Sequence, residues 1–500
     1  MSTATQPTVP AAPRPTWSAR IFSLPVLMGL GLMALLVFLS CPGGGPCATV
    51  ADPDIWWHLR YARHLVETGH FSRADSWTFT VAGVPKVNFE WAAEVPYYFA
   101  WRCHGDLGLY LATMLTVGAI VLGIYWLGWM RSGSWKAAFA ASVAAALMAT
   151  VSLGPRTLLF GWLFLAIELA VLWSFAKGRD CSLLLPPLFL VWVNTHGSWF
   201  IGFVLMAVFF ACGWFEFTWG ELYCVRWTAR QKRMILAVTA ASAAALFVNP
   251  WGWRMVVYPL NMAFRQQAII GHVAEWASLD FHGARGKFVL ATFLLLGILQ
   301  LIRPRRWNLQ DLAFALIGIY GALSYTRFLF LAGILLAPLL AVSLSRMRGD
   351  PRIPSRGERW VNAAGMAALL AFIVWHAPAE QQLQAGVART YPQRAIPLVR
   401  SLAGRGNLFA DIGWAGYFEW NAPQVKEFAD TREDIFLRRG VLGDYIRATQ
   451  MRDTFAILNK YRIQYVLLEE KDPVTYLLEH SAGWKTTYDD GEAVMFERVP

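Results

Sequence analysis

The chain has 500 residues, of which 56% are hydrophobic and only 15% charged, and it holds 25 Trp and 32 Phe. Soluble globular chains carry roughly 25% charged residues, so this composition excludes a water-soluble protein and points to a bilayer. The net charge of +11 is not a nucleic-acid footprint, because it sits in short clusters between apolar runs, such as Arg303, Arg305 and Arg306, and not on one polar face.

Residues 1–20 are rich in Pro, Thr and Ala, carry Arg14 and Arg20, and read as a cytoplasmic tail. The apolar run 21–40 is longer than the ~7–15-residue core of a signal peptide, which predicts an uncleaved first transmembrane helix. Further runs lie near 107–129, 135–153, 157–176, 182–194, 198–218, 234–248, 287–302, 308–323, 327–345 and 360–376, giving about eleven spans. The run 182–194, interrupted by Pro186 and Pro187, and the run 234–248 are short, so tilted, broken or re-entrant helices are expected there.

Lys and Arg set the orientation. Arg131 and Lys136, Lys177 and Arg179, the group Arg226, Arg230, Lys232 and Arg233, the group at 303–306, and Arg346, Arg348, Arg352, Arg356 and Arg359 occupy alternate connections. The short connections between them hold only Arg156 and Arg327. Basic residues in short loops stay cytoplasmic, which predicts a multi-pass inner-membrane protein with its N-terminus inside. Two long loops, 41–106 and 249–286, then face outward. The first reads as a helix after Asp54, turns, and a second amphipathic segment around Trp91 to Trp101.

Past 376 the sequence becomes polar, and 377–500 is predicted as an extracytoplasmic α/β domain of roughly 120 residues. Its expected strands are 407–411, 426–430, 464–469, 484–489 and 493–499, with helices near 444–460 and 474–480 and a hairpin turn at Asp489-Asp490-Gly491. The fold class is therefore a polytopic α-helical membrane protein, with 21–376 as the membrane domain, followed by a small α/β domain. Cys41, Cys47 and Cys103 share the first outer loop, where one disulfide among them and three free thiols are both open.

The chemistry-bearing stretch is Asp52-Pro53-Asp54-Ile55-Trp56-Trp57-His58-Leu59-Arg60. Two carboxylates two residues apart, beside a histidine, suit a divalent cation (Mg²⁺ or Mn²⁺) whose shell phosphate oxygens complete. One of them would equally serve as a general base, and either would cap a helix with no chemistry at all. Asn88, Glu90, Glu94, Arg156, Asn194, His196, Asn249, Glu275 and Arg327 fall at the same outer level. Taken singly they read as turn residues or as arginines reaching for headgroups, and Trp276 as part of an interfacial aromatic belt. Gathered on one side they predict an outward cavity, since ionisable groups at membrane depth line substrate paths. Arginine forks would hold the phosphate of a lipid substrate.

The acidic pair followed by aromatic-aromatic-polar-x-Arg, after one transmembrane helix, resembles the GT-C integral-membrane glycosyltransferases. The nearest pattern is that of the oligosaccharyltransferase catalytic subunit, acid-x-Asp-x-Trp-aromatic-Asn-x-Arg. Asp52, Asp54, Trp56, Trp57, His58 and Arg60 fill those positions, with His58 in place of the Asn. No second Asp-x-Asp motif follows, Glu275 matches a later-loop glutamate by position only, and Asp411-Ile412-Gly413-Trp414-Ala415-Gly416-Tyr417 is a loose echo of a Trp-Trp-Asp-Tyr-Gly acceptor motif.

The resemblance implies transfer of a sugar or glycan from a polyprenyl-phosphate-linked donor, drawn from among the membrane lipids, to a glycan, lipid or protein acceptor. Asp54, Asp52 or Glu90 would activate the acceptor, and Asp54 with Asp52 would hold the cation. His58, Arg60, Arg156, His196, Arg327 and Glu275 would contact substrate. The competing expectation is a non-catalytic GT-C-like protein or a lipid-linked saccharide transporter. A transporter should place ionisable groups on both halves of its pathway, whereas the acids here gather at the outer side.

Overall fold

The computed structural model describes residues 16–43, 45–265, 274–345 and 354–499. Arg14, Arg346, Arg348 and Arg352, and part of the second long loop, lie outside the described residues. Each predicted apolar run carries a helix, from Leu24–Ser40 to Arg356–His376. Five of the described helices are long and apolar enough to cross a bilayer: Trp91–Ser132, Trp135–Ser152, Leu158–Ala176, Ala284–Ile302 and Thr326–Leu344. Arg356–His376 and Glu380–Thr390, bent by 44°, form a sixth if counted together. That is fewer than the eleven expected, because several apolar runs end early as shorter helices: Leu24–Ser40, Ser182–Thr195, Trp199–Cys212 and Leu309–Ser324.

Local sequence sets the helix ends. Ser134 accepts a bond from the Ala137 N–H to start one helix, and Thr228 with Gln231 and Ser355 with Glu358 form reciprocal capping boxes. Small residues let helices approach. A Cβ on Gly128 would stand 3.2 Å from that of Ala138 and 3.3 Å from that of Ala341, so three helices meet there nearly backbone to backbone.

Connections that charge assigned to one side do meet. Arg131 pairs with Asp311 at 2.5 Å, Lys177 donates to the Met130 carbonyl, and Arg359 donates to Ser18. A small sheet joins the connections 213–228 and 303–308: β1 (Phe217–Trp219) pairs antiparallel with β2 (Leu222–Cys224), which runs parallel to β3 (Trp307–Asn308).

At the opposite end the first long loop forms the helix Ile55–Thr68 after Asp54 and, as expected, a second helical segment from Trp91. That segment and the span beyond it are two helices joined at a kink, where His104 and Gly105 leave helical geometry and Gly105 takes φ +55°. The loop thus ends near 106. No disulfide crosslinks it, because Cys41, Cys47 and Cys103 are free and the Cys47 thiol lies 3.3 Å from the Thr49 hydroxyl.

The C-terminal segment builds a four-stranded sheet from β4 (Asn407–Ala410), β5 (Ile463–Glu469), β6 (Trp484–Asp489) and β7 (Ala493–Arg498), in the order β4-β5-β7-β6. β4 is parallel to β5, and the other pairings are antiparallel. Residues 426–430 are not a strand. They make a single bridge, Thr78 to Glu427, onto the first loop. The helix expected at 444–460 is two, Val441–Thr449 and Thr454–Lys460, because Met451 and Asp453 both sit at φ +57° between them.

A buried charge cluster clamps this segment onto the first loop. Arg432 donates to Asp430 (2.8 Å) and to the Tyr61 hydroxyl (2.6 Å), and lies 2.8 Å from Asp75 and 3.4 Å from Glu419. Helix Ile412–Asn421 presses on the acidic motif itself. A Cβ on Gly416 would stand 2.8 Å from the Pro53 carbonyl oxygen, so only glycine permits that approach.

Candidate functional site

Asp52 and Asp54 do different jobs. Asp52 Oδ1 accepts the Asp54 N–H at 3.0 Å, forming the turn that launches helix Ile55–Thr68. Asp54 stands at the N-cap position but makes no capping bond. Its Oδ1 instead accepts from the Trp57 indole N–H at 3.2 Å and from the Thr431 hydroxyl of the C-terminal segment. Burial, and then the Asp52 charge, push the Asp54 carboxyl above the usual range, against the pull of His58, Thr431 and Arg156.

Asp52 Oδ2 accepts from Arg156 Nε at 2.7 Å. Arg156 also pairs with Glu275, whose other oxygen lies 3.6 Å from Arg327. The result is one chain of alternating charge, Asp52–Arg156–Glu275–Arg327, drawn from four separate connections. Gly154 makes room for it, since a Cβ there would lie 3.2 Å from the Thr49 carbonyl. The Asp52 carboxylate is the main reason the Arg156 guanidinium holds its proton more tightly than usual. A cavity of about 320 Å³ opens beside this pair, its lining including Asp52, Arg156 and Thr49 together with Leu39, Val151 and Leu153.

A second network begins one residue on. Thr157 donates to Glu90 Oε1 at 2.7 Å, and His196 Nε2 lies 3.5 Å from the same oxygen. His196 Nδ1 accepts the Ser198 N–H at 2.9 Å, so Nε2 carries the hydrogen that faces Glu90. Burial depresses the His196 imidazole well below its usual range and raises the Glu90 carboxyl, which favours a neutral pair. Asn88 accepts the Glu90 N–H and donates to Glu94, which in turn holds His58 Nδ1 at 2.9 Å. Burial lowers the His58 imidazole too.

The structure therefore brings Asp52, Asp54, Glu90, Arg156, His196, Glu275 and Arg327 into two linked networks, with His58 buried behind them. Arg60 is elsewhere. It donates to the Pro423 carbonyl and stacks 4.5 Å over Trp77, because one face of its helix docks the C-terminal segment. Sequence reasoning missed Thr157, which only its neighbour Arg156 signals, and Thr431, which nothing local signals.

The cation expected at Asp54 and Asp52 does not fit these partners. Both Asp52 oxygens are taken by an N–H and a guanidinium, Asp54 Oδ1 by two donors, and no group of three His, Cys, Asp or Glu that could hold a metal occurs among the described residues.

No protein-family model matches the sequence, and no curated protein matches it by sequence. Solved structures do match. The oligosaccharyltransferase of Archaeoglobus fulgidus in its apo form superposes with a TM-score of 0.54 at 10% identity, over 92% of this chain and 70% of that one. The archaeal oligosaccharyltransferase AglB from the same organism, in complex with an inhibitory peptide and a dolichol-phosphate, gives 0.52 at 12% identity, over 97% and 75%. ArnT from Cupriavidus metallidurans, bound to undecaprenyl phosphate, gives 0.51 at 13% identity over 97% and 99%. At such identities it is the fold alone that is shared, and the chain has the fold of these three solved structures.

Proposed function

We propose that the chain is an inner-membrane glycosyltransferase, moving a sugar or glycan from a polyprenyl-phosphate-linked donor to an acceptor on the outer face. In this reading 1–20 is cytoplasmic, 21–376 spans the membrane about eleven times, and 377–500 lies outside. The observation that carries it is the Asp52–Arg156–Glu275–Arg327 chain, whose first two members line a cavity that Leu39, Val151 and Leu153 also line. Such a cavity would take a phosphate at its arginine and the start of a lipid chain at its apolar residues.

Arg156 and Arg327 would exchange carboxylate partners for the donor phosphate, which Arg156 meets already held in place by Asp52 and Glu275. Asp54, with its Oδ1 fixed by Trp57 and Thr431, would take the acceptor's proton through Oδ2 as the acceptor atom bonds to the anomeric carbon. The bond from that carbon to the phosphate oxygen breaks, and the charge released falls on the arginines. A single displacement of this kind inverts the anomeric centre. No step is routed through a metal.

The test replaces Asp54 with Ala and follows transfer of radiolabelled lipid-linked sugar in membranes. Removing a general base should cost ~10²–10⁴-fold. Unchanged transfer at normal expression refutes the assignment, and reporter fusions that place residue 54 in the cytoplasm refute the topology.

One feature favours a lipid-linked saccharide transporter. Glu168 is fully buried within helix Leu158–Ala176, and neither carboxyl oxygen has a hydrogen-bond partner. A transport pathway would use such a group, although nothing opposite it completes one.

A further inference from the structure

A second cavity, of about 240 Å³, lies in the C-terminal segment and shares no lining residue with the site above. It opens where the end of helix Glu380–Thr390 meets the end of β5 and the β6–β7 turn. Its chemistry comes from Arg389, Trp414, Glu469, Glu470, Lys471 and Glu492, with Tyr391 in the wall. Its volume is below the ~300–1,000 Å³ typical of drug-sized ligands, a size suited to one sugar ring.

The walls are built before anything binds. The Trp414 indole N–H donates to the Thr390 carbonyl at 3.1 Å, tying two lining residues together. Tyr391 stacks on Tyr417 at 4.7 Å with 12° between the rings. Gly491 turns the β6–β7 connection at φ +81°, and Glu469 offers its carbonyl to the Thr475 hydroxyl.

Three ligand classes fit poorly. An anion would face three carboxylates against two cations. A metal ion would meet Arg389 and Lys471 among its ligands. An added peptide strand needs free main-chain groups, yet the Glu470 N–H already donates to the Glu492 carbonyl at 3.0 Å, and Glu469 is paired with Ala493. A saccharide suits what remains. Its hydroxyls donate and accept at once, matching exposed carboxylates interleaved with a guanidinium and an ammonium.

We propose that this cleft is a saccharide-binding site, a docking point for a neutral glycan unit outside the transfer chemistry. Tyr391 stands edge-on to Trp56 at 5.7 Å, so a glycan held here lies one aromatic layer from the acidic motif. Binding itself does not depend on the transferase reading.

The experiment uses the full chain in lipid nanodiscs and saturation-transfer NMR with glucose, galactose and N-acetylglucosamine as separate probes. At least one sugar should show transfer in the parent and equally in Asp54→Ala. In the double variant Lys471→Ala, Glu492→Gln, at two exposed positions, affinity should fall about tenfold or more, as expected for losing hydrogen bonds to charged groups. Glycosyl transfer to a short soluble acceptor should be unchanged in that variant. No transfer from any of the three sugars overturns the proposal, as does a signal that survives the double variant or disappears in Asp54→Ala. A response to an alanine-rich pentapeptide with none to the sugars also overturns it, in favour of a peptide site.

Discussion

Arg432 offers the sharpest test of how the C-terminal segment is held against the acidic loop. Its guanidinium is almost wholly buried and faces Asp75, Asp430 and Glu419, with the Tyr61 hydroxyl on its remaining nitrogen. Replacement by Gln keeps much of the bulk and removes the one positive charge in direct contact with those acids among the described residues. Breaking a buried pair in this way costs about 3–5 kcal/mol. At about 1.4 kcal/mol per tenfold, the interface should open roughly 100- to 4,000-fold more often. Hydrogen exchange followed by mass spectrometry reads this directly, as faster exchange in 75–88 and 427–437 with the membrane helices unaffected.

The effect also has a sign in pH. Burial alone would raise Asp430, but Arg432 holds it below the usual carboxylate range. In the parent, that depressed value contributes stability that is present above the unfolded pKa and lost only in strong acid. In the variant, Asp430 becomes a buried acid without its main counter-charge. Its folded pKa then rises, and stability falls as pH climbs above the unfolded value. The deficit should therefore grow between pH 5 and pH 8. Exchange within tenfold of the parent, or a deficit independent of pH, would refute the clamp.

Other consequences can be checked alongside. Burial pushes Glu427 up to about 8, and neither carboxyl oxygen has a partner, so the folded chain keeps a proton that the unfolded chain releases above ~4.5. Stability falls as pH rises through that window, and Glu427→Gln should flatten the slope, gaining up to about 3 kcal/mol at pH 7. Parallel pH curves for the two proteins would contradict this. Thr431→Val removes a hydrogen bond that favours the Asp54 carboxylate, so the pH–rate profile should shift its acidic limb to higher pH while KM stays near the parent value. A KM change alone would assign Thr431 to binding. Gly416→Ala forces a Cβ against the Pro53 carbonyl, costing about 1–3 kcal/mol of strain. Transfer should drop although the chain still folds, and unaltered activity would show that Pro53 can yield.

Much of the architecture was legible in the sequence because the relevant physics is local. A helix in a bilayer must satisfy its own backbone, so each apolar run announces itself, and every predicted run does carry a helix. Basic residues mark which connections share a side, and Arg131 with Asp311 meets within that side. Strands β4 to β7 likewise follow from short alternating runs. The motif Asp52 to Arg60 pointed to the candidate cluster, where seven of the nine predicted residues converge, with His58 just behind.

Tertiary structure alone decided the rest. Residues 426–430 read as a strand, yet their only bridge is to Thr78. Asp54 is fixed by Thr431, 377 positions away, and Asp52 by Arg156, 104 positions away. Those partners give the two carboxylates different surroundings, one held by an arginine and the other by an indole and a hydroxyl. A carboxylate's role follows from the donor nearest in space, and over such separations only the packing of the helices chooses it.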